Sequence, residues 1–351
     1  GDDVSVINRR RDRLILRARR AAAYAKTPVT WTPSIPTVLT ALFLIEALAV
    51  IAFPQIRVKR AALILIGLSI PLGFWLFIYW KIYLSVFTTP YREPVPLTDS
   101  RWKTFDFLGW GEERMQAFIL PADEPSKDLV LYLHGYPSSL GRGESRCQHL
   151  QSLGINVIGL DQRGLGNQQG RMDWTLLKVI ADAEALLEEA PKQLGFTPER
   201  LWIYGHSMGG FITIRLAAYP SGWWEHSLEG IVLESPVTSF PMIIDEKLPG
   251  RMVMARPWVR HVLRREYERI HPDLSVRYAT SELPYWGLPE VPILAIQAGQ
   301  DEMLGEAHFA LFKEHLGDVA EVHVLNDMPH TSRVDMPVRR VKVEAWLEAM
   351  R

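Results

Sequence analysis

The chain has 351 residues, a formal net charge of -1 and a single cysteine, Cys147. The length gives room for one large domain and an additional segment, and the near-neutral charge gives no global reason to expect a nucleic acid partner. One cysteine excludes an intrachain disulfide, and the sequence has no zinc-type Cys/His spacing, P-loop or dinucleotide fingerprint, so it indicates no metal and no organic cofactor.

The first quarter of the chain divides into a basic and an apolar segment. Residues 1–34 are polar and basic, whereas residues 35–90 carry two apolar runs. From Thr37 to Phe53 the only charged residue is Glu46, and from Ala61 to Trp80 there is none. A run of that length with aromatic residues at one end is typical of a helix that spans a bilayer. We therefore predict one or two transmembrane helices, at about residues 37–53 and 61–82.

The basic residues beside these runs indicate an orientation. Residues 1–34 hold eight arginines and lysines, and the loop between the runs holds Arg57, Lys59 and Arg60. The larger cluster favours a cytoplasmic N-terminus, although the three loop charges work against it. Two spans would return the chain to its starting side. The sequence then predicts an integral protein of the cell inner membrane, with residues 91–351 facing the cytoplasm.

Residues 91–351 alternate short apolar runs with helical patterns such as "DWTLLKVIADAEALLEEA". Eight runs have the length of buried strands, namely "WKTFDFLGW", "RMQAFILPA", "DLVLYLHG", "INVIGLD", "LWIYGHS", "GIVLESP", "VPILAIQAG" and "AEVHVLN". This alternation predicts an α/β fold with a mostly parallel eight-stranded sheet and helices on both faces. Active sites in such sheets lie at the carboxyl ends of the strands.

Three residue types that act together in acyl transfer follow predicted strands. Ser207 lies in "GHSMGG", Asp301 follows "ILAIQAG", and His330 follows "VHVLN". A serine hydroxyl becomes a good nucleophile when a histidine accepts its proton, and a buried carboxylate orients that histidine. The simpler interpretation of the serine is that it caps the following helix. Two other carboxylates are rival acids, Asp327 close to His330 and Glu234 on a strand.

Acyl transfer also needs two amide donors for the oxyanion. The N–H of Met208, directly after the serine, is one candidate, and the N–H of Tyr136 in "HGYP" is the other. Both residues are also candidate substrate contacts.

Residues 237–290 interrupt the alternation and predict a cap over the site. Their middle, "RMVMARPWVRHVLRREYERI", alternates arginines with apolar residues and includes Trp258. A basic amphipathic helix of this kind is typical of a membrane-surface element, or it packs on the main domain with its arginines in solvent. In either case its apolar face could line an acyl pocket, with Trp258 as a substrate contact.

The elements "HGYP", "DQRGLG" and "GHSMGG" together resemble the α/β-hydrolase superfamily, most of all its monoacylglycerol-lipase-like and membrane-anchored members. The resemblance covers residues from about 100 to 351. It implies Ser207 as nucleophile, Asp301 as acid, His330 as base, and Met208 and Tyr136 as oxyanion donors, with no cofactor.

We therefore predict a membrane-anchored serine hydrolase that cleaves esters or thioesters of apolar acyl chains, acting on a lipid or other acyl ester at the bilayer. A peptidase or amidase with the same three residues is an alternative. A non-catalytic binding or scaffold protein on the same fold is a further one.

Overall fold

A computed structural model describes residues 89–168, 174–247, 281–332 and 335–351, with scattered positions between 44 and 77 and residue 257. Residues 28–88 and the described residues from Thr89 onward lie in separate compact units. The basic segment 1–34 lies outside the described residues.

The described positions of the unit of residues 28–88 are helical and largely apolar. Most of the two predicted spans, at about 37–53 and 61–82, falls outside the described residues, and no helix in the described part is long and apolar enough to cross a membrane. The anchor therefore stays a prediction. The large apolar side chains at the described positions are mostly exposed, namely Leu44, Leu48, Ile51, Leu63, Leu65, Ile70, Leu72 and Phe77.

The second unit is built on an eight-stranded sheet. Its strands are β1 (Lys103–Leu108), β2 (Arg114–Leu120), β3 (Asp128–Leu133), β4 (Asn156–Leu160), β5 (Arg200–His206), β6 (Leu228–Glu234), β7 (Ile293–Ala298) and β8 (Ala320–Leu325). Their order is β1-β2-β4-β3-β5-β6-β7-β8. β2 pairs antiparallel with β1 and β4, and all later pairs are parallel. The predicted eight-stranded, mostly parallel sheet is confirmed.

Helices connect the parallel strands, as this topology requires. The α-helices of the described part of this unit are α1 (Glu144–Ser152), α2 (Leu176–Leu194), α3 (Met208–Ala218), α4 (Phe240–Lys247), α5 (Gly305–Leu316) and α6 (Pro337–Met350). Local sequence sets their ends. At α2, the Thr175 side chain accepts from the Lys178 N–H at 3.4 Å. Gly195 closes the same helix with φ of 80°.

The core lies on both faces of the sheet. β3, β4 and β7 are buried along their whole length, so their apolar runs contact helices on either side. Trp346 of α6 packs directly over Gly230 of β6, where a Cβ atom would lie 2.7 Å from the indole ring. Each large apolar side chain buried in this way contributes about 1.5–3 kcal/mol. The apolar runs of the sequence are therefore what fixes the sheet between its helices.

The register brings the carboxyl ends of the central strands to one level. Leu133 at the end of β3 pairs with Gly205 of β5, and His206 at the end of β5 pairs with Glu234 at the end of β6. The loops that follow these strands consequently meet at the same edge of the sheet. That edge carries Ser207, Asp301 and His330, which follow β5, β7 and β8.

The predicted cap of residues 237–290 is described only at its two ends. α4 lies at its beginning and residues 281–290 at its end, and a bridge between Ser239 and Glu282 joins them. Apart from Pro257, residues 248–280 lie outside the described residues, and Trp258 is among them.

Candidate active site

Ser207 occupies a sharp turn between β5 and α3. Its backbone has φ of 52° and ψ of -116°, a conformation that residues other than glycine rarely adopt. A Cβ atom at Gly205 would collide with the Gly209 carbonyl, and one at Gly209 with the Leu133 carbonyl. Glycine is therefore required two residues on either side of the serine. The Ser207 side chain makes no helix-capping hydrogen bond, so capping does not explain the residue.

The Ser207 hydroxyl instead belongs to a hydrogen-bonded chain of three side chains. Its Oγ lies 2.8 Å from Nε2 of His330, and Nδ1 of His330 lies 2.7 Å from Oδ2 of Asp301. A carboxylate only accepts hydrogen bonds, so Nδ1 carries the proton and Nε2 is left to accept from the serine. The structure thus brings together Ser207, Asp301 and His330, which lie far apart in the sequence, in the order in which acyl transfer would use them.

Asp301 is held as a carboxylate by its surroundings. Oδ1 accepts from the backbone N–H groups of Met303 at 3.0 Å and Leu304 at 2.9 Å. Burial by itself would raise the pKa of Asp301, but hydrogen bonds from His330 and the two amides outweigh it and lower the pKa below its usual range. The Asp301 carboxyl is therefore ionised at neutral pH and can accept the hydrogen bond from Nδ1 of His330.

Neither rival acid contacts His330. Asp327 is exposed. Glu234 is fully buried and receives hydrogen bonds from Arg146 at 2.6 and 2.7 Å, from Tyr204 at 2.7 Å and from Arg339 at 3.2 Å. Burial alone would raise the pKa of Glu234, yet the two guanidinium groups hold it well below its ordinary value. Glu234 is thus the centre of a buried ionic cluster beside the site.

His206, next to the serine, fixes the position of His330. Its Nε2 lies 2.6 Å from the backbone carbonyl of His330 and must donate, since a carbonyl only accepts. Burial lowers the pKa of His206 to about 4, so the ring is neutral at ordinary pH. His206 is consequently a positioning residue for His330.

The loop after β3 lies directly against the serine. A Cβ atom at Gly135 would lie 3.2 Å from Cβ of Ser207. Gln162 clamps this loop, because its N–H donates to Nε2 of His134 at 3.0 Å and its side-chain amide donates to the His134 carbonyl at 2.6 Å. Trp174 donates to Gln162 at 3.0 Å and packs on the Tyr136 ring with centroids 4.8 Å apart. The loop that holds Tyr136 is therefore fixed from both sides.

The two candidate oxyanion donors flank the serine. Met208 is the first residue of α3, so its N–H belongs to the helical turn whose amides have no intrahelical acceptor. Tyr136 lies in the clamped loop and lines the same cavity as Ser207. Their use as oxyanion donors stays a prediction.

A cavity of about 240 Å³ opens beside Ser207. Its lining includes Ser207, His330, Met303 and Tyr136, and also three arginines, Arg92, Arg142 and Arg146. Trp258, the third predicted substrate contact, lies outside the described residues. In the part of the chain that the structure describes, no group of three His, Cys, Asp or Glu side chains could hold a metal.

Several residues that shape this site were not singled out from the sequence. Gln162 lies in "DQRGLG", directly after the predicted strand "INVIGLD", and this position at the end of a strand was the signal that could have identified it. Arg146 and Arg339 are charged residues on α1 and α6, and solvent exposure is the default expectation for a charged side chain on a helix. Only the fold shows that both contact Glu234.

Comparison with known proteins agrees with this architecture. Residues 124–288 match the family model described as Serine aminopeptidase, S33. A monoacylglycerol lipase of Mycolicibacterium smegmatis is 26% identical over 155 residues, which are 43% of this chain and 55% of the relative. Lysophosphatidylserine lipase ABHD12 of Danio rerio is 31% identical over 119 residues, 33% of this chain and 30% of the relative. The chain spans less than two thirds of the length of these curated relatives.

Solved structures share the fold. An esterase of Pyrococcus furiosus superposes with a TM-score of 0.54 at 20% identity, covering 75% of this chain and 97% of that one. An alpha-beta hydrolase from Vibrio vulnificus gives 0.52 at 19% identity, covering 72% and 82%. The shared fold and the match to the family model confirm the predicted resemblance to the α/β-hydrolase superfamily.

Proposed function

We propose that this protein is a membrane-anchored serine hydrolase that cleaves carboxylic esters or thioesters of apolar acyl chains. The observation that carries the proposal is the chain of hydrogen bonds from Ser207 through His330 to Asp301, with the serine in the lining of a cavity. A core serine with a purely structural role would need neither the strained turn nor an oriented histidine.

The first half of the reaction acylates the serine. His330 Nε2 takes the hydroxyl proton while Oγ of Ser207 bonds to the substrate carbonyl carbon, and Asp301 stabilises the imidazolium that results. The carbonyl oxygen gains negative charge and accepts from the N–H groups of Met208 and Tyr136. His330 then gives its proton to the departing alcohol or thiol as the bond from the carbonyl carbon breaks.

The second half returns the enzyme to its starting state. A water molecule gives a proton to His330 and bonds to the acyl carbon. The Ser207 oxygen then leaves and takes the proton back, so the products are a free acid and an alcohol or thiol. His206 contributes by holding the His330 backbone, which keeps Nε2 in line with Oγ through both halves.

One solved structure and two curated relatives support an acyl ester as substrate. The names esterase, monoacylglycerol lipase and lysophosphatidylserine lipase describe enzymes that act on such esters. The family model's own name, serine aminopeptidase, favours a peptidase as the second candidate. The two candidates share acylation chemistry and differ in the leaving group.

Membrane anchoring is supported by the uncharged run from Ala61 to Trp80 and by exposed apolar side chains such as Ile51 and Leu63. Lipid would cover these side chains more favourably than water. The basic residues before Thr37 favour the cytoplasmic face of the inner membrane for the unit of residues 89–351, the hydrolase unit.

A fluorophosphonate probe tests the proposal. We expect covalent labelling of the wild type and none of Ser207→Ala, while Ser227→Ala, a substitution on a half-buried serine outside the site, labels normally. A panel of acyl esters, thioesters and peptide amides then separates the candidates, and we expect turnover of esters or thioesters above amides. A wild type that neither labels nor turns over any member of the panel would be a scaffold protein.

A further inference from the structure

The buried ion pair of Arg146 and Glu234 is not explained by stability alone. The two side chains are 3% and 1% exposed. Burying charge of this kind is costly, and replacing such a pair with packed apolar side chains is often neutral or stabilising. Neither side chain takes part in the hydrogen bonds that join Ser207, His330 and Asp301. The other contacts of the pair therefore indicate what it does.

The backbone of Glu234 holds the turn of the nucleophile. Its carbonyl accepts the N–H of Ser207 at 2.9 Å, which continues the pairing of β5 with β6 beyond His206. The carbonyl of Ser207 in turn accepts the N–H of Val237 at 3.1 Å, in the segment that follows β6. The strained turn of Ser207 is thus tied to the end of β6 through both its N–H and its carbonyl.

The side chain of Glu234 is linked to the loop of the histidine by Arg146. Nε and Nη2 of Arg146 donate to the two carboxylate oxygens at 2.7 and 2.6 Å, and this paired geometry fixes the plane of the guanidinium group. Nη1 of the same group donates to the backbone carbonyl of Ser332 at 3.1 Å. Ser332 is two residues after His330 in the loop that follows β8. Glu234 and Arg146 therefore connect the turn of Ser207 to the loop of His330.

His206 supplies a second contact to this loop. Its Nε2 donates to the His330 carbonyl at 2.6 Å, so buried side chains of other elements hold two carbonyls of the loop, two residues apart. Two fixed points set the direction of a short backbone segment, whereas a single one lets it pivot. The alignment matters because Nε2 of His330 lies 2.8 Å from Oγ of Ser207, and proton transfer between them slows when that geometry is lost.

We propose that Arg146, oriented by Glu234, is a positioning residue that fixes the loop of His330 and so keeps Nε2 in line with Oγ of Ser207. It acts through the Ser332 carbonyl and not by accepting or donating the transferred proton. This inference rests on the proposed hydrolase function, since it concerns the alignment of the same nucleophile and base.

Arg339 offers a matched control. Its Nη1 donates to the Glu234 carboxylate at 3.2 Å, and its side chain is as buried as that of Arg146. Within the part of the chain that the structure describes, Arg339 has no hydrogen bond to the loop of His330. Substitution of either arginine removes one positive charge from the same cluster, but only Arg146 contributes the contact with Ser332.

The comparison of Arg146→Gln with Arg339→Gln tests the inference in the full-length protein in a neutral detergent. We expect Arg146→Gln to lower kcat on a short-chain ester by about 10- to 100-fold, because misaligned groups transfer the proton slowly. Its KM should stay within about threefold of wild type, and its rate of labelling by a fluorophosphonate should fall with kcat. Arg339→Gln should change these rates by less than about threefold. Denaturant unfolding should show a loss of stability in both variants.

Arg146→Lys separates charge from alignment and serves if Arg146→Gln folds poorly. It keeps the positive charge beside Glu234, so it should be more stable than Arg146→Gln. A single ammonium group cannot reproduce the planar fork that binds both carboxylate oxygens and the Ser332 carbonyl. Its kcat should therefore still be about tenfold below wild type.

A soluble guanidinium ion distinguishes alignment from a general loss of structure. Arg146 lines the cavity beside Ser207, so Arg146→Ala leaves a gap that this ion can enter. We expect guanidinium chloride, at concentrations well below those that unfold the protein, to raise the kcat of Arg146→Ala severalfold. Sodium chloride and urea at the same concentrations should not raise it, and Arg339→Ala should gain nothing from guanidinium.

Three results would overturn the inference while wild-type hydrolysis leaves the hydrolase proposal standing. One is a folded Arg146→Gln or Arg146→Lys whose kcat stays within about threefold of wild type. The second is an equal loss of kcat in the Arg339 variants, which would assign the effect to the charge of the cluster. The third is no recovery of Arg146→Ala in guanidinium. A wild type that neither labels nor hydrolyses any ester would instead refute the hydrolase proposal, and this inference with it.

Discussion

The two units of this chain use the same apolar residue types in opposite ways. In the unit of residues 28–88, the described side chains of Leu48 and Ile51 are 64% and 79% exposed. In the hydrolase unit, Leu131 and Ile203 lie in central strands and are fully buried. An apolar side chain left in water forgoes about 1.5–3 kcal/mol relative to burial. The second unit therefore covers these apolar side chains itself, whereas the described apolar side chains of the first are largely exposed, as the proposed membrane anchor would require.

The difference also separates chemistry from location. Ser207, His330 and Asp301 all belong to the second unit. If this division is correct, substitutions in the hydrolase unit change turnover or folding, and changes to the helical unit alter where the enzyme works.

The largest effect is expected at the nucleophile. Ser207→Ala should lower kcat on a short-chain ester by about 10⁴-fold or more, because a hydrogen-bonded serine, histidine and aspartate act as a unit. Hydrolysis of the ester by purified full-length protein measures it, with thermal unfolding as a check that the turn still folds. A variant that kept wild-type turnover would contradict the assignment of Ser207 as the nucleophile, and with it the assignment of the chemistry to this unit.

The acid should show the next largest effect. Asp301→Asn should lower kcat by about 10³–10⁴-fold, since an amide oriented toward His330 no longer fixes the tautomer that accepts from Ser207. Asp327→Asn is the matched control and should leave turnover close to wild type, because Asp327 is exposed and does not contact His330. Equal losses in both variants would contradict the assignment of the acid.

The buried ionic cluster should affect stability. Glu234→Gln leaves Arg146 and Arg339 without their carboxylate, and breaking a buried pair in this way costs about 3–5 kcal/mol of unfolding free energy. Denaturant unfolding at pH 7 measures the loss. Glu199→Gln removes a fully exposed partner of Lys127 and should give no measurable change.

The loss at Glu234 should depend on pH in a definite direction. The pKa of Glu234 in the folded protein lies well below its ordinary value of 4.5, because the nearby guanidinium groups overcome the effect of burial. Its contribution to stability is therefore complete above pH 4.5 and disappears as the pH falls through the folded pKa. The wild type and Glu234→Gln should thus converge in stability on acidification. A gap that stayed constant down to low pH would mean that packing, and not ionisation, is responsible.

The fold was largely predictable because strand runs such as "LVLYL" and "ILAI" are apolar along their whole length. That pattern belongs to strands covered on both faces. The loops after the strands could be placed for the same reason, since parallel strands present their carboxyl ends at one edge. Ser207, Asp301 and His330 were found in this way.

The ionic cluster and the arginine-lined cavity could not be predicted, because their members come from separate elements. Arg146 is on α1, Glu234 at the end of β6 and Arg339 on α6, and no local spacing relates them. Each looked like an ordinary surface charge or, for Glu234, a rival acid. Charge pairing over such separations depends on strand order and helix placement, which the apolar pattern leaves open.

The smallest effect on chemistry, and the sharpest test of the comparison, is expected on removing residues 1–88. The truncated protein keeps Thr89, whose hydroxyl bonds to the Gly164 carbonyl, together with every residue of the site. Its kcat/KM on a soluble short-chain ester should stay within about threefold of the full-length value, since no group that touches the reacting atoms is lost.

Location should change far more than chemistry. We expect full-length protein to remain in the membrane fraction through high-salt and carbonate washes, because apolar transfer holds it there and salt screens only charge. The truncated protein should appear in the soluble fraction. Its rate on an ester embedded in vesicles should fall about tenfold or more, as the effective concentration at the bilayer is lost. If the full-length protein washed off with salt alone, its exposed apolar side chains would have to meet another protein, and the bilayer would not be their partner. If the truncated protein failed to fold, the two units would depend on each other, and the division between chemistry and location would be wrong.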